Sequence, residues 1–322
     1  MSVLVTGGAG YIGSHIVRML QQSSDVIVVD NFSTGRRERI TDVPIYDIDL
    51  AADSSVREVR LVLRRHDVRA VIHMAALKQV GESVEQPVRY YRENTQTLAH
   101  VLEAMEAESV PLLVFSSSAA VYGSPAADLV SEEDETKPVN PYGSSKLMGE
   151  WLVRDVAKAT SIRAVSLRYF NVAGAGSAEL ADTVPANLIT LAIDALARGS
   201  APKIFGDDYD TPDGSGVRDY VHVEDLASAH IAAIDYLSKT HESYSAVNVG
   251  TGTGASVKEV LAELVEVSGS TIEPKVTERR AGDPAAVVAD ATRIKERFEW
   301  TPTHSVRDMV ESAWSAQLHA EG

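Results

Sequence analysis

The sequence predicts an α/β fold, a doubly wound parallel sheet followed by a smaller C-terminal α/β domain. Three observations carry that prediction. Apolar runs of strand length alternate with longer amphipathic stretches, the pattern of a parallel sheet covered by helices on both faces. A glycine-rich turn separates the first apolar run from the first amphipathic stretch. The 322 residues, 44% hydrophobic and 24% charged, supply a core for one large unit with an appendage.

Taken in order, strands are predicted at 3–6, 26–30, 45–47, 70–74, 112–116 and 164–168, and helices near 12–22, 54–65, 88–108 and 142–160. The strands are short apolar runs, and the helical stretches repeat apolar residues at three- and four-residue spacing. After about Asn171 the rhythm loosens: Gly174, Gly176, Pro185, Gly199, Pro202 and the run Thr211-Pro212-Asp213-Gly214-Ser215-Gly216 punctuate short elements. The first domain is therefore expected over 1–175 and the second mainly over 176–322, with a strand-helix unit at 219–237 and a strand at 246–249 as candidates to rejoin the first sheet.

Charge narrows the partners. Thirty Lys and Arg against 46 Asp and Glu leave a net charge of −16, which disfavours nucleic acid and anionic membrane surfaces and requires that an anionic ligand meet local positive groups. The absence of cysteine excludes disulfides, thiolate metal sites and a cysteine nucleophile. The nine histidines contain no His-Glu-x-x-His pattern, His222 and His230 read as structural, and no metal is expected. The opening Met1-Ser2 runs straight into Val3-Leu4-Val5 without a basic, cleavable or membrane-spanning segment, so a cytoplasmic location is expected.

The first strand leads into Thr6-Gly7-Gly8-Ala9-Gly10-Tyr11-Ile12-Gly13. Glycines here permit a tight turn, close backbone approach to a pyrophosphate and close strand-helix packing, while the helix N-terminus offers free N–H groups. A ligand-free turn also wants glycine. The position decides: the second strand ends at Asp30, seventeen residues after Gly13, where a carboxylate accepts from adenosine ribose hydroxyls and repels a 2′-phosphate. The sheet is thus read as a Rossmann domain binding NAD in preference to NADP, with Arg36 and Arg37 as a solvated basic turn.

Asn140-Pro141-Tyr142-Gly143-Ser144-Ser145-Lys146 has the form of a helix start, with Asn140 as cap and Pro141 at the first helical position. Tyr142 and Lys146 then share a face at i, i+4. A tyrosine pKa of about 10 must fall for the phenol to act as a base at neutral pH, and Lys146, the helix dipole and a nicotinamide cation are the expected means. The preceding strand delivers Ser116, Ser117 and Ser118 to the carboxyl edge of the sheet. Ser118 is expected to hydrogen-bond in catalysis. Ser116 and Ser117 are read as hydroxyls capping backbone groups.

Together these residues resemble the extended short-chain dehydrogenase/reductase superfamily and, within it, the UDP-glucose 4-epimerase family. The stretches that carry the resemblance are 3–15, 71–83, 116–123, 141–146, 167–171, 216–223 and 279–283. The resemblance implies NAD contacts at Gly7, Gly10, Tyr11, Ile12, Gly13, Asp30, Asn31, Phe32, Ser33, Thr34, Gly35, Asp49, Leu50, Met74, Ala75, Ala76, Leu77, Lys78, Asn94, Lys146 and Phe170. It implies nucleotide-sugar contacts at Lys78, Ser118, Tyr142, Asn171, Asn187, Leu188, Arg218, Arg280, Asp283 and Val287. Arginines suit a UDP diphosphate. Asp49 reads equally as a turn cap, and Val287 equally as a core valine. Related dehydratases carry an acidic pair where this chain has Ala119 and Ala120, so dehydration is not implied. The 174–185 segment is shorter than in many relatives.

The implied activity is reversible 4-epimerisation of a UDP-hexose through a transient 4-keto sugar, with Tyr142, Ser118 and Lys146 as the catalytic set. Val287, smaller than the aromatic residue of restricted members, extends the expected range to the N-acetylated UDP-sugars. A UDP-uronate 4-epimerase or decarboxylase, a dehydrogenase that releases NADH and a silent dinucleotide-binding regulator are the rival readings. A homodimer is implied by the resemblance, and 88–108 and 151–160 are candidate helix-helix contacts.

Overall fold

The computed structural model describes residues 1–125, 127–280 and 282–320. Ala281, inside the 279–283 motif, and residues 321–322 lie outside the described residues. The strands are β1 (Ser2–Thr6), β2 (Asp25–Asp30), β3 (Ile45–Asp47), β4 (Ala70–His73), β5 (Leu112–Ser118), β6 (Leu129–Val130), β7 (Arg163–Tyr169), β8 (Asn171–Ala173), β9 (Lys203–Phe205), β10 (Val217–His222), β11 (Tyr244–Val249), β12 (Gly254–Ser256), β13 (Lys275–Thr277) and β14 (Ala286–Ala289). The helices are α1 (Tyr11–Leu20), α2 (Ser55–Arg65), α3 (Val80–Glu85), α4 (Pro87–Tyr91), α5 (Thr97–Ala107), α6 (Pro141–Ala159), α7 (Leu188–Ala197), α8 (Val223–Lys239), α9 (Val257–Ser268), α10 (Thr292–Phe298) and α11 (Val306–Ala320).

Seven strands form one sheet in the order β11-β7-β5-β4-β1-β2-β3, every neighbouring pair parallel. Strand order reverses at β1, whose neighbours β2 and β4 diverge, and this opens a crevice at the carboxyl ends of the strands. Alternate side chains feed two cores. Val3 and Val5 pack with Ile16 of α1, Leu226 of α8 and Ile294 of α10 on one face. Leu4 packs with Val62 of α2, Val101 of α5 and Val153 of α6 on the other. Complete burial of each such side chain contributes about 1.5–3 kcal/mol.

Two sequence expectations need correction. The strand of the 219–237 unit does not rejoin the first sheet: β10 lies in a second sheet ordered β12-β10-β14-β6, with β8 also on β10, while β11 returns to the first sheet beside β7. The predicted helix 88–108 is interrupted. α4 ends at Tyr91, a π-helical turn spans Arg92–Gln96, and α5 begins at Thr97. The remaining pair β9 and β13, with α7, α9 and α11, builds around a third apolar cluster that includes Ile193, Leu261 and Val310.

Candidate active site

The turn after β1 shows why it needs glycine. Gly7 has φ +68°, and a Cβ there would stand 2.7 Å from the Ala75 backbone nitrogen. A Cβ on Gly13 would stand 2.2 Å from the Gly7 carbonyl. At Gly10 a Cβ would meet only the Gly7 carbonyl, at 3.2 Å, and Gly7, Gly10 and Gly13 all line one cleft. The backbone therefore closes tightly at both ends of the turn and leaves a concavity at the first turn of α1, the shape and polarity that a diphosphate requires.

Around this concavity, Asp30 organises the end of β2. One carboxylate oxygen accepts from Ala9 N at 2.9 Å and the other from Phe32 N at 2.8 Å. Burial raises the Asp30 pKa against the lowering effect of these bonds. Asn31, Ser33, Thr34, Gly35, Asp49 and Leu50 line the same cleft, as do Met74 to Lys78 beyond β4. Asp49 also accepts from Ala51 N at 3.0 Å, so it caps its turn while facing the cleft. Lys78 reaches to 3.9 Å from Asp182. Phe32, Asn94 and Phe170 do not line the cleft. The Phe32 ring carries the Arg37 guanidinium at 4.7 Å, and Phe170 packs with Tyr122 and Leu147. Asn94, buried in the π-helical turn, accepts from Leu77 N at 2.8 Å and donates to Leu77 O and Ser145 Oγ. It holds the cleft wall from behind.

The capped start of α6 forms as expected: Asn140 Oδ1 accepts from Gly143 N at 2.9 Å. Tyr142 and Lys146 are buried and both line the cleft. Tyr142 is hydrogen-bonded to Ser118, which lowers its pKa, but burial dominates and raises it. Lys146 Nζ donates to Ser116 O at 2.8 Å, and burial pulls this lysine down to about 8. Within the protein alone, desolvation outweighs the Ser118 bond, and Lys146 is not among the groups that lower the Tyr142 pKa. The reading of Ser116 and Ser117 is corrected. They bond side chains and cap no backbone group: Ser116 Oγ meets His230 Nε2 at 3.0 Å, and Ser117 Oγ donates to Glu150 at 2.5 Å.

Glu150, two turns beyond Tyr142, fixes the depth of α6. Its carboxylate takes both Arg168 Nε at 2.9 Å and a terminal Arg168 nitrogen at 2.6 Å. Arg168 also donates to the Tyr122 hydroxyl, which donates to Asn248 Oδ1. This bidentate pair is almost fully enclosed and ties α6 to β5, β7 and β11.

A second cavity, of ≈ 760 Å³, opens among β8, β10 and α7 and is lined by Asn171, Asn187, Leu188, Arg218, Arg280 and Asp283. Arg218 donates to Asp283 at 2.5 Å and to Pro284 O at 3.0 Å. Arg280 lies 3.9 Å over the Phe205 ring. Asn187 caps α7 through Thr190 N at 3.0 Å. Val287 faces neither cavity wall. It is the register partner of Arg218 and packs in the cluster that holds Ala119 and Phe170. His222 and His230 line neither cavity: His222 caps α8 and stacks on His304 at 4.1 Å, and His230 backs Ser116.

The sequence profile of the NAD dependent epimerase/dehydratase family matches residues 3–250. The chain belongs to this family. A UDP-glucose 4-epimerase of Azospirillum brasilense is 46% identical over 326 aligned positions, covering 99% of this chain and 92% of that protein. The UDP-glucose 4-epimerase of Stenotrophomonas maltophila, solved with bound NAD and formylated UDP-arabinopyranose, superposes with a TM-score of 0.94 at 36% identity, over 100% of this chain and 99% of that one. The UDP-glucose 4-epimerase of Bifidobacterium longum, solved with NAD+ and UDP, gives a TM-score of 0.89 at 39% identity, over 100% and 99%.

This member of the epimerase/dehydratase family brings its glycine turn, Asp30, Lys78, Tyr142 and Lys146 into one cleft, and Arg218, Arg280, Asn171 and Asn187 into a second cavity. Sequence reasoning missed Arg39, Asp182 and Tyr169, which also line the cleft. Tyr169 follows Arg168 at the end of β7 and is legible once the strand is extended by one residue. Arg39 and Asp182 carry no motif, because they meet only through folding.

Proposed function

We propose that the chain interconverts UDP-glucose and UDP-galactose by inversion at C4, with NAD held in the glycine-lined cleft and the nucleotide in the arginine-lined cavity. The observation that carries this reading is the buried Tyr142, bonded to Ser118 and lining the cleft with Lys146. The cleft fits the cofactor: Gly7, Gly10 and Gly13 line it at the N-terminus of α1, which suits a diphosphate, and Asp30 stands where ribose hydroxyls donate.

NAD, when bound, supplies the hydride acceptor and donor that inversion of an unactivated carbon requires, and its positive nicotinamide favours a phenolate nearby. Tyr142 removes the proton from O4 and returns it after inversion, with Ser118 orienting both oxygens. Lys146 holds the nicotinamide ribose. Arg218 and Arg280 neutralise the diphosphate of the substrate, so the 4-keto sugar turns while the nucleotide stays anchored. The test is incubation of purified protein with UDP-galactose and no added NAD, followed by NMR. UDP-glucose is expected; an unchanged substrate overturns the reading, and accumulation of free NADH replaces it with a dehydrogenase.

Val287 supports a second substrate class. It shares an apolar cluster with Ala119, next to Ser118, and its strand partner is Arg218. Val287 packs behind the site rather than in its wall, and a side chain smaller than an aromatic ring there lets the adjoining wall accommodate an N-acetyl group at C2. UDP-GalNAc is therefore also turned over, and Val287→Tyr stops that reaction while sparing UDP-galactose; equal loss of both reactions contradicts the assignment. The protein acts in the cytoplasm as a homodimer. Supporting the dimer, Val84 and Val88 expose apolar side chains beside Met148 and Trp151 of α6, on helices that pack together. Light scattering at twice the chain mass supports this reading, and the mass of one chain opposes it.

A further inference from the structure

Arg39 is a buried cation without a matching anion. It ends the turn that follows β2, is 6% exposed, and lines the cofactor cleft. One terminal nitrogen donates to Ala181 O, across 142 residues of sequence. Its Nε is buried with no hydrogen-bond partner. Among the described residues no carboxylate stands within ion-pair distance of it. The acid whose charge acts on Arg39 is Asp182, and Asp182 already faces Lys78 at 3.9 Å and Asn187 at 3.5 Å. A desolvated guanidinium with an idle donor is costly unless an anion completes it.

The place of Arg39 narrows that anion. Its charge acts on Tyr11 and His15, both in the first turns of α1. A group there stands at the diphosphate end of the cleft, whereas Asp30 marks the ribose end. We propose that Arg39 binds the cofactor's diphosphate through its unbonded terminal N–H group while the other terminal nitrogen keeps hold of Ala181. The guanidinium would then join the bound dinucleotide to the 177–187 segment, which ends at Asn187 and the substrate cavity. This rests on the reading that the cleft takes NAD.

The test follows exchange of adenine-labelled NAD out of the purified holoenzyme for wild type, Arg39→Gln, Arg39→Lys and the exposed control Arg37→Gln, with phosphorus NMR of the bound cofactor. Loss of a charge-assisted bond predicts exchange about ten- to a hundredfold faster in Arg39→Gln. Arg39→Lys is expected to fall between, with shifted diphosphate resonances, and Arg37→Gln to match wild type. If Arg39→Gln fails to fold, Arg39→Lys carries the test by its resonances. Wild-type exchange and unshifted resonances in the folded variants overturn the proposal and leave Arg39 as a staple for Ala181. Weakened NADP with unaltered NAD also overturns it, by moving the contact to a 2′-phosphate. A wild-type protein that holds no NAD overturns the cofactor reading itself, a result distinct from NAD bound and indifferent to Arg39.

Discussion

At the residue scale the site turns on a conflict at Tyr142. Burial raises its pKa, yet the proposed chemistry needs a phenolate, which leaves to the bound cofactor what Ser118 alone does not supply. Tyr142→Phe is expected to retain fold and NAD while losing about 10²–10⁴-fold in turnover, measured as UDP-glucose formed from UDP-galactose. Near-wild-type turnover would remove the phenol from the role. Because the active form is deprotonated, the rate rises with pH along the acidic limb. The Tyr142 and Lys146 pair was legible in sequence because a helix cap and an i, i+4 spacing announce it. Arg168 and Glu150 were not, since nothing in sequence reveals that two charges from separate elements are buried together. Glu150→Ala strands Arg168 and is expected to destabilise the protein by about 3–5 kcal/mol in chemical denaturation; a change under 1 kcal/mol, roughly the worth of an exposed pair, would show that the pair is solvated.

At the element scale the interruption of the predicted helix matters most. The apolar spacing of 88–108 is helical throughout, so periodicity reads one helix; the extra residue of a π-helical turn leaves composition unchanged. What the interruption does is turn Asn94 onto both backbone groups of Leu77. Asn94→Ala is predicted to leave the Leu77 amide without its partner, costing about 1–3 kcal/mol, and to speed hydrogen exchange at 75–78 ahead of β4. Unchanged protection there would mean that the loop is held by other contacts. Strands β1, β2, β4, β5 and β7 were readable for the opposite reason. They are largely buried and appear as apolar runs, whereas the three-residue strands β8, β9, β12 and β13 are too short to carry a period.

At the scale of the whole molecule, four buried histidines stitch its parts together and set its response to acid. Burial pushes His15, His222 and His230 down to about 4 and His73 to about 3. His15 shows why neutrality is required: one ring nitrogen meets Tyr11 O and the other accepts from Gly176 N, joining α1 to the substrate-side segment. Between about pH 6.5 and 4 the unfolded chain binds more protons at these sites than the folded one, so stability is retained above that window and lost as pH falls through it. The buried Asp30 and Asp219, raised by desolvation, work in the opposite sense. The histidines outnumber them, and the thermal midpoint is expected to drop across the window; a flat midpoint would contradict neutral burial.

The central claim is that C4 is oxidised and reduced within one enclosed site that joins the cleft of Tyr142 and Lys146 to the cavity of Arg218 and Arg280. Mass spectrometry of UDP-glucose made from UDP-galactose deuterated at C4, in ordinary water without added NAD, tests it most directly. The account predicts that the deuterium stays on C4 in the inverted product. Inversion with replacement of that deuterium by solvent hydrogen would contradict it.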